Sequence, residues 1–523
     1  MPFERLPYGS SNITSVYWSL LQSNNRIDIF DQPRLIRMSL TKSGFFCSIG
    51  KYSWILLSTL AAASALLYWA LANLDAINGR EAVFLFWAEM SGLFVLYAIA
   101  YYILHTVKED SNRVLLIILL SGSLFRIVLL PAGLGHDSSL NEKVDLILSD
   151  LKSEEVVFER FQLFDSDIWR YLWDGHVIAK GFNPYQFAPS EEALDRLIYP
   201  ISDKTNFFWE EIRENVNYGS VPTVYPPAAL WVFWLSHGIA PGSVLVMKLI
   251  FITLEMIGIL FLVGCLRALN RSTSDIILYA WNPLMIKVFA GSGHMDAIVV
   301  CFLSATSYFL LRKNLFPVAV SFALAILTKF SPVILLPFIL LRIGWKYVFL
   351  IGLLIFFAYL PYLSLGSRIF EGFFAFSQAW QFNAGVFGMV QWLISFVSDN
   401  PSEVARLING LIITGLVLWL SLKDDRSNSN FFKASTTVMG ALFILSPTVM
   451  PWYISWVLPF ALLSKDLLWF AFSILLLLAF HIMIDQNEYS WVLSVEFGLF
   501  FLLMFIQRQT SFTFRPGGEH KSG

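Results

Sequence analysis

The sequence predicts an all-α protein threaded repeatedly through a membrane, with about 11–14 transmembrane helices and one large loop outside. Three observations lead there. Of 523 residues, 56% are hydrophobic and only 14% are charged, whereas a soluble domain carries about 25% charge. Apolar runs long enough to cross a core about 30 Å thick recur along the chain. The formal charge is only −2, which gives no support for a nucleic-acid partner. These features exclude a soluble enzyme, a disordered chain, a collagen-like repeat and a coiled coil. The three cysteines (Cys47, Cys265, Cys301) are scattered and form neither a disulfide framework nor a thiolate metal site.

Taken in order, residues 1–52 are a polar tail with six basic residues (Arg5, Arg26, Arg34, Arg37, Lys42, Lys51) against three acidic ones. This is not a signal-peptide core, and its charge places it in the cytoplasm. The first three spans are 53–74, 83–106 and 113–132, within a first membrane segment 53–132. The loop 133–224 then lies outside, with 17 acidic residues against 8 basic ones. A bundle over 225–508 follows, with spans at 244–265, 274–291, 295–312, 346–364, 404–422, 431–447, 466–484 and 491–507. Shorter apolar pieces at 225–239, 315–330, 331–343 and 450–464 are interrupted by prolines, which are tolerated where a cavity or neighbouring helix satisfies the backbone. Residues 225–239 are expected to be re-entrant or interfacial, which keeps the later Lys/Arg flanks inside. Residues 509–523 form a second cytoplasmic tail.

A loop of this length in a compact membrane fold points to function. It carries Asp165-Ser166-Asp167-Ile168-Trp169-Arg170-Tyr171-Leu172-Trp173-Asp174-Gly175-His176, then Gly181-Phe182-Asn183-Pro184-Tyr185, and closes on Val224-Tyr225-Pro226-Pro227. Aromatics interleaved with carboxylates suit a layer at the membrane interface. On a helix, Asp167, Arg170, Tyr171 and Asp174 share one face. Arg170 would then hold Asp167 ionised, and an ionised carboxylate within reach of a hydroxyl is a general base. Arg170 could also meet a phosphate. The competing reading of the same spacing is an amphipathic surface helix with internal ion pairs. Asp174-Gly175 and Asn183-Pro184-Tyr185 are expected as turns. Pro226-Pro227 suits the start of a helix.

These stretches, together with Trp281-Asn282-Pro283-Leu284, Gly291-Ser292-Gly293-His294-Met295-Asp296, Thr328-Lys329-Phe330-Ser331-Pro332 and Ser446-Pro447 to Pro451-Trp452-Tyr453, resemble the bacterial GT-C-type membrane glycosyltransferases. The mannosyltransferase-like and GT87-like members are the nearest in pattern. The resemblance spans about residues 163–460. It implies a GT-C-like bundle, a polyprenyl-phosphate sugar as donor and catalysis at the extracytoplasmic face by an acidic residue of the early loop. Within that pattern Asp167 aligns with the catalytic acidic position, while Asp165 is the second carboxylate and Trp169 stands where the pattern has Tyr.

Under the resemblance, His294 would bind the donor phosphate, oriented by Asp296, with Gly291 and Gly293 allowing close backbone approach. The plainer reading is a turn capping the next helix. Lys329, inside an apolar stretch, would contact phosphate or else snorkel to an interface. Trp452, Tyr453 and Tyr225 would line the sugar or lipid groove, or serve as aromatic-belt anchors. Arg170, Tyr171, Asp174, Asn183 and Tyr185 complete the expected substrate-binding set. His294 and Asp296 alone make no metal-ligand set, so neither metal nor cofactor is expected. Arg126, Glu89, Glu255 and Glu496 should pair among helices.

No phosphate-binding loop of an ATPase and no dinucleotide fingerprint is present, which argues against ATP-driven transport and hydride transfer. Sequons at Asn12 and Asn270 fall on the cytoplasmic side, in keeping with a bacterial cytoplasmic membrane. The expected partners are the bilayer, the lipid-linked donor and an acceptor the sequence does not name. Two rivals share the composition. A lipid-linked glycan flippase would move a sugar lipid without making a glycosidic bond. A ligase or polymerase of the same architecture would differ in product length.

Overall fold

The computed structural model describes residues 44–74, 79–133, 138–152, 163–198, 206–485 and 490–513. Among them the chain is helical, and its only extended pairing is a single parallel bridge between Phe382 and Thr448. Residues from Trp54 onward form one compact unit. Most of the two expected tails and part of the loop lie outside the described residues; residues 44–52 and 509–513, expected as tail, are helical and extend the neighbouring spans.

The first three expected spans appear as α1 (Gly44–Ala72), α2 (Gly79–Val107) and α3 (Asn112–Leu129). Ser111 caps α3 by accepting the Val114 N–H, a role its short hydroxyl suits. The loop supplies α4 (Leu140–Lys152), α5 (Asp167–Ala179) and α6 (Asn206–Glu214). Next come α7 (Pro227–Ile239), α8 (Val244–Ala268), α9 (Asp296–Leu311), α10 (Leu315–Thr328) and α11 (Trp345–Tyr359). The remainder includes α12 (Gly385–Ile394), α13 (Pro401–Leu422), α14 (Asn428–Leu445) and α15 (Ser490–Thr513). Seven of the described helices are long and apolar enough to cross a bilayer, and six more apolar helices are shorter. The protein is therefore an all-α, integral membrane protein. The 13 residues of α7 rise about 20 Å, less than the core of a bilayer.

Three expected continuous spans are broken. Residues 274–291 form Thr273–Ile276, Ile277–Ala280, Pro283–Ile286 and a π-turn at Lys287–Gly291. Pro283 lacks an N–H, and the Asn282 side chain instead accepts the N–H groups of Leu284 and Met285. The run 346–364 ends as α-helix at Tyr359, where a 3₁₀ stretch with Gly366 at φ +58° takes over. The run 466–484 is divided by a 3₁₀ turn at Leu476–Leu478. The first and third interruptions are buried in protein, where freed backbone groups find partners, whereas in Leu360–Phe370 only Ile369 is buried.

Interior charges lock the frame. Arg126 on α3 and Glu255 on α8 form a fully buried bidentate pair, at 2.7 Å and 2.5 Å. Arg126 also donates to the carbonyls of Gly122 and Ala280, both at 2.8 Å, tying the broken segment to two helices. Glu496 receives Asn383 Nδ2 at 3.0 Å. Lys248 donates to the carbonyls of Leu130 and Gly291 and so clamps the π-turn. The loop is fastened at α4, where Asp150 accepts the N–H groups of Val244 and Leu245 and the Ser243 hydroxyl. An acid at a helix N-terminus also meets the positive end of its dipole.

The loop helix α5 is not an interfacial surface helix. Every residue from Ile168 to Val177 is buried. It packs on α7, and Gly175 lies inside α5 rather than in a turn. A Cβ there would sit 2.6 Å from the Phe233 carbonyl oxygen, so only glycine permits this approach.

Candidate active site

The broken segment 274–291 and α5 deliver the chemistry to one place. Phe164 takes φ +53°, and Asp165-Ser166-Asp167 then turns into α5. Asp165 Oδ1 accepts the Asp167 N–H at 3.1 Å, which fixes the two carboxylates relative to each other. After the π-turn, Gly293 at φ +78° swings the chain, and a Cβ there would meet Ile168 and Lys248 within 3 Å. The close approach expected at this glycine is thus made by α5. His294 arrives with Nε2 hydrogen-bonded to Asp165 Oδ2 and Nδ1 3.8 Å from Asp167 Oδ2. Its ring stacks on Trp452 at 3.7 Å.

The two aspartates differ in setting. The Asp165 side chain is 3% exposed and that of Asp167 33%. Burial pushes Asp165 up, but His294 and Lys287 outweigh it and hold the carboxyl below its ordinary range. Burial, and then the charge of Asp165, push Asp167 up to about 6, against the pull of His294 and Lys329.

Two ion pairs flank this group. Asp296, in the first turn of α9, accepts Lys329 Nζ at 2.9 Å and Trp456 Nε1 at 2.5 Å. Lys329 follows the end of α10 with extended backbone and lies over the rings of Tyr453 and Trp456. Arg170 Nε donates to Asp174 at 3.0 Å and Nη2 to the Val221 carbonyl at 3.0 Å. Asp174 also accepts the Thr223 hydroxyl at 2.6 Å. The expected pairing of Arg170 with Asp167 is therefore corrected, because the guanidinium points one turn forward along α5. The expected pairing of Asp296 with His294 is corrected too. Asp165 orients the imidazole, and Asp296 belongs to Lys329.

These groups border a cavity of about 1490 Å³. Asp165, Asp167, Arg170, Tyr171, Tyr225, Asp296, Lys329, Trp452 and Tyr453 all line it. His294 stands immediately behind Asp165 and Trp452. Asp174, Asn183 and Tyr185 are not among the lining residues. Asn183 accepts the Tyr185 N–H, and the Tyr185 hydroxyl donates to the Tyr225 carbonyl at 2.7 Å. They hold the wall from behind rather than meeting the cavity.

The structure adds residues that sequence reasoning passed over. Arg406, Tyr218, Trp380 and Trp456 line the cavity, and Lys287 lies buried with Nζ on the Ser292 hydroxyl. Arg406 stood inside the expected span 404–422, and Trp380 in the unassigned stretch between that span and 346–364. Trp456 was hidden among the aromatics after Pro451. Asp165, Asp167 and His294 each offer one ligand atom, all within 4.8 Å of one another. A three-residue group able to take a cation therefore exists, though not the His294–Asp296 pair weighed from sequence.

Residues 161–344 match the family model described as alpha-(1->6)-mannopyranosyltransferase, N-terminal domain. Residues 383–505 match the one described as MptB C-terminal domain. No curated protein and no solved structure matches the chain. The first match opens just before Asp165 and covers the aspartates, His294, Asp296 and Lys329. The second covers Arg406, Trp452 and Tyr453.

Proposed function

Since the chain belongs to the alpha-(1->6)-mannopyranosyltransferase family of integral membrane glycosyltransferases, we propose that it moves mannose from a polyprenyl-phosphate donor to an acceptor hydroxyl, with Asp167 as general base. Asp167 takes the proton of the attacking hydroxyl. The hydroxyl oxygen forms the new bond to the anomeric carbon as the bond from that carbon to the phosphate oxygen breaks. The electron pair leaves on the phosphate. A single displacement inverts the centre, so the α linkage named by the family would come from a β-linked donor, and its 1→6 position from a primary hydroxyl.

The observation that carries this reading is Asp167 itself. It is a cavity-lining carboxylate, one-third exposed, held by a neighbouring aspartate–histidine pair and raised to about 6. A raised pKa makes a stronger base that is still mostly ionised near neutrality. Asp165 and His294 act as positioning residues, and the catalytic face would be the extracytoplasmic side of a bacterial cytoplasmic membrane. The test is purified enzyme with polyprenyl-phosphate mannose and an acceptor panel, with products read by mass spectrometry. Asp167→Asn should lower transfer by about 10²–10⁴-fold while the protein stays folded. Robust transfer by that variant would defeat the assignment.

The grouping of Asp165, Asp167 and His294 supports a second reading, in which a divalent cation occupies that group. On the first reading, activity survives exhaustive chelation. On the second it is lost and returns with added divalent metal.

A further inference from the structure

Among the described residues, three cationic side chains line the cavity: Arg170, Lys329 and Arg406. Asp174 neutralises the first and Asp296 the second. Arg406 is different. Its Nη1 donates to the Ser377 carbonyl at 2.6 Å and its Nη2 to the Trp380 carbonyl at 3.3 Å. Its guanidinium sits over the Phe387 ring at 5.3 Å. Among the described residues no carboxylate pairs with it. Two carbonyls orient the fork without cancelling its charge, and a guanidinium has five N–H donors.

Arg406 also begins a path. It opens a lining face of α13 that continues through Asn409, Gly410 and Ile413, at helical spacings i, i+3, i+4 and i+7. Gly410 is bare at its centre, and a Cβ there would meet nothing within 4 Å. The facing wall from α14 is apolar at Leu442 and Phe443. A charged head and an apolar groove thus follow one another along a single helix.

Resting on the mannosyl-transfer reading, we propose that Arg406 binds the phosphate of the lipid-linked donor and that the Gly410 face of α13 receives its polyisoprenoid tail. The chemistry asks for this division. A donor phosphodiester carries one negative charge and gains a second as its bond to the sugar breaks. In an inverting displacement the base and the leaving phosphate stand on opposite sides of the anomeric carbon. Asp167 comes from the loop helix α5 and Arg406 from α13, so separate elements supply the base and the free cation.

The experiment measures binding of long-chain polyprenyl phosphate alone, and then transfer kinetics. Arg406→Gln should weaken binding about 10- to 100-fold, the loss of a charge-assisted fork. Arg406→Lys should restore part of it. Donor KM should rise in Arg406→Gln with acceptor KM unchanged. Gly410→Leu puts a good helix former on α13 where a Cβ meets nothing within 4 Å, so the helix should be retained. It should impair a long-chain donor while sparing a farnesyl-phosphate mannose. Binding by Arg406→Gln within about twofold of the parent would overturn the phosphate assignment and leave mannosyl transfer standing. Equal effects of Gly410→Leu on both donors would overturn the tail path. A parent that binds polyprenyl phosphate through Arg406 yet transfers no mannose would instead defeat the transfer reading.

Discussion

Two clusters of buried charge can be compared within this molecule. Between α3 and α8, Arg126 and Glu255 face each other in a bidentate pair with no exposure, and every donor of the guanidinium that is placed goes to a carboxylate or a carbonyl. At the mouth of α5, Asp165, Asp167 and His294 bring two acids to one imidazole, and His294 Nδ1 is buried without a hydrogen bond. The first cluster is closed and cross-links helices. The second is left incomplete at His294 Nδ1, which lies 3.8 Å from the carboxylate of the cavity-lining Asp167. Buried charge that is fully matched holds structure. Buried charge left short of a partner is where a proton or a substrate can enter.

The comparison can be broken in graded steps. Glu255→Ala should be the harshest change to the fold, because it strands Arg126 without its counter-charge, at a cost of about 3–5 kcal/mol. Thermal unfolding in detergent would measure it, and an apolar replacement of both residues should recover most of the loss. Asp167→Asn should behave in the opposite way. The folded carboxyl is raised from 3.8 to about 6, so its ionised form is disfavoured by folding. That cost appears as pH rises above about 4 and is complete above about 6. At pH 7 the Asn variant should therefore unfold no earlier than the parent, although it is inactive. An earlier unfolding would give Asp167 a structural role.

The same shift predicts the rate profile. Transfer by the parent should decline as pH falls through about 6, whereas an unperturbed aspartate would sustain it to about pH 4. The smallest effect is expected behind the wall. Asn183→Ala removes one acceptor for the Tyr185 N–H and should lower stability by about 1 kcal/mol with little change in kcat. A large fall in kcat would bring Asn183 into the cavity after all.

Particular residues show what could be read ahead of the fold. Asp165, Asp167, His294, Asp296 and Lys329 were legible because each stands in a short run with its own punctuation: an acid pair before an aromatic helix, glycines before a histidine, a lysine at a proline break. Their partners were not legible. Arg170 could pair backward with Asp167 or forward with Asp174 on the same helix face, and only side-chain direction, together with the Val221 carbonyl, decides it. Gly175 carried a turn signal and instead serves a close helix crossing, since contact with Phe233 overrides local preference.

Composition and periodicity alone determined that this chain lives in a membrane as helices, because apolar length and scarcity of charge act residue by residue. They also marked the loop as the candidate seat of chemistry, because charge and aromatic density are local properties. Which helices break, which acid holds His294 and, among the described residues, which cavity-lining cation has no carboxylate partner were decided by tertiary structure. Asp165 and His294 stand 129 positions apart, and Arg406 takes its carbonyl partners from Ser377 and Trp380 in another segment, so hydrogen-bond geometry fixes these partners only after the helices have packed.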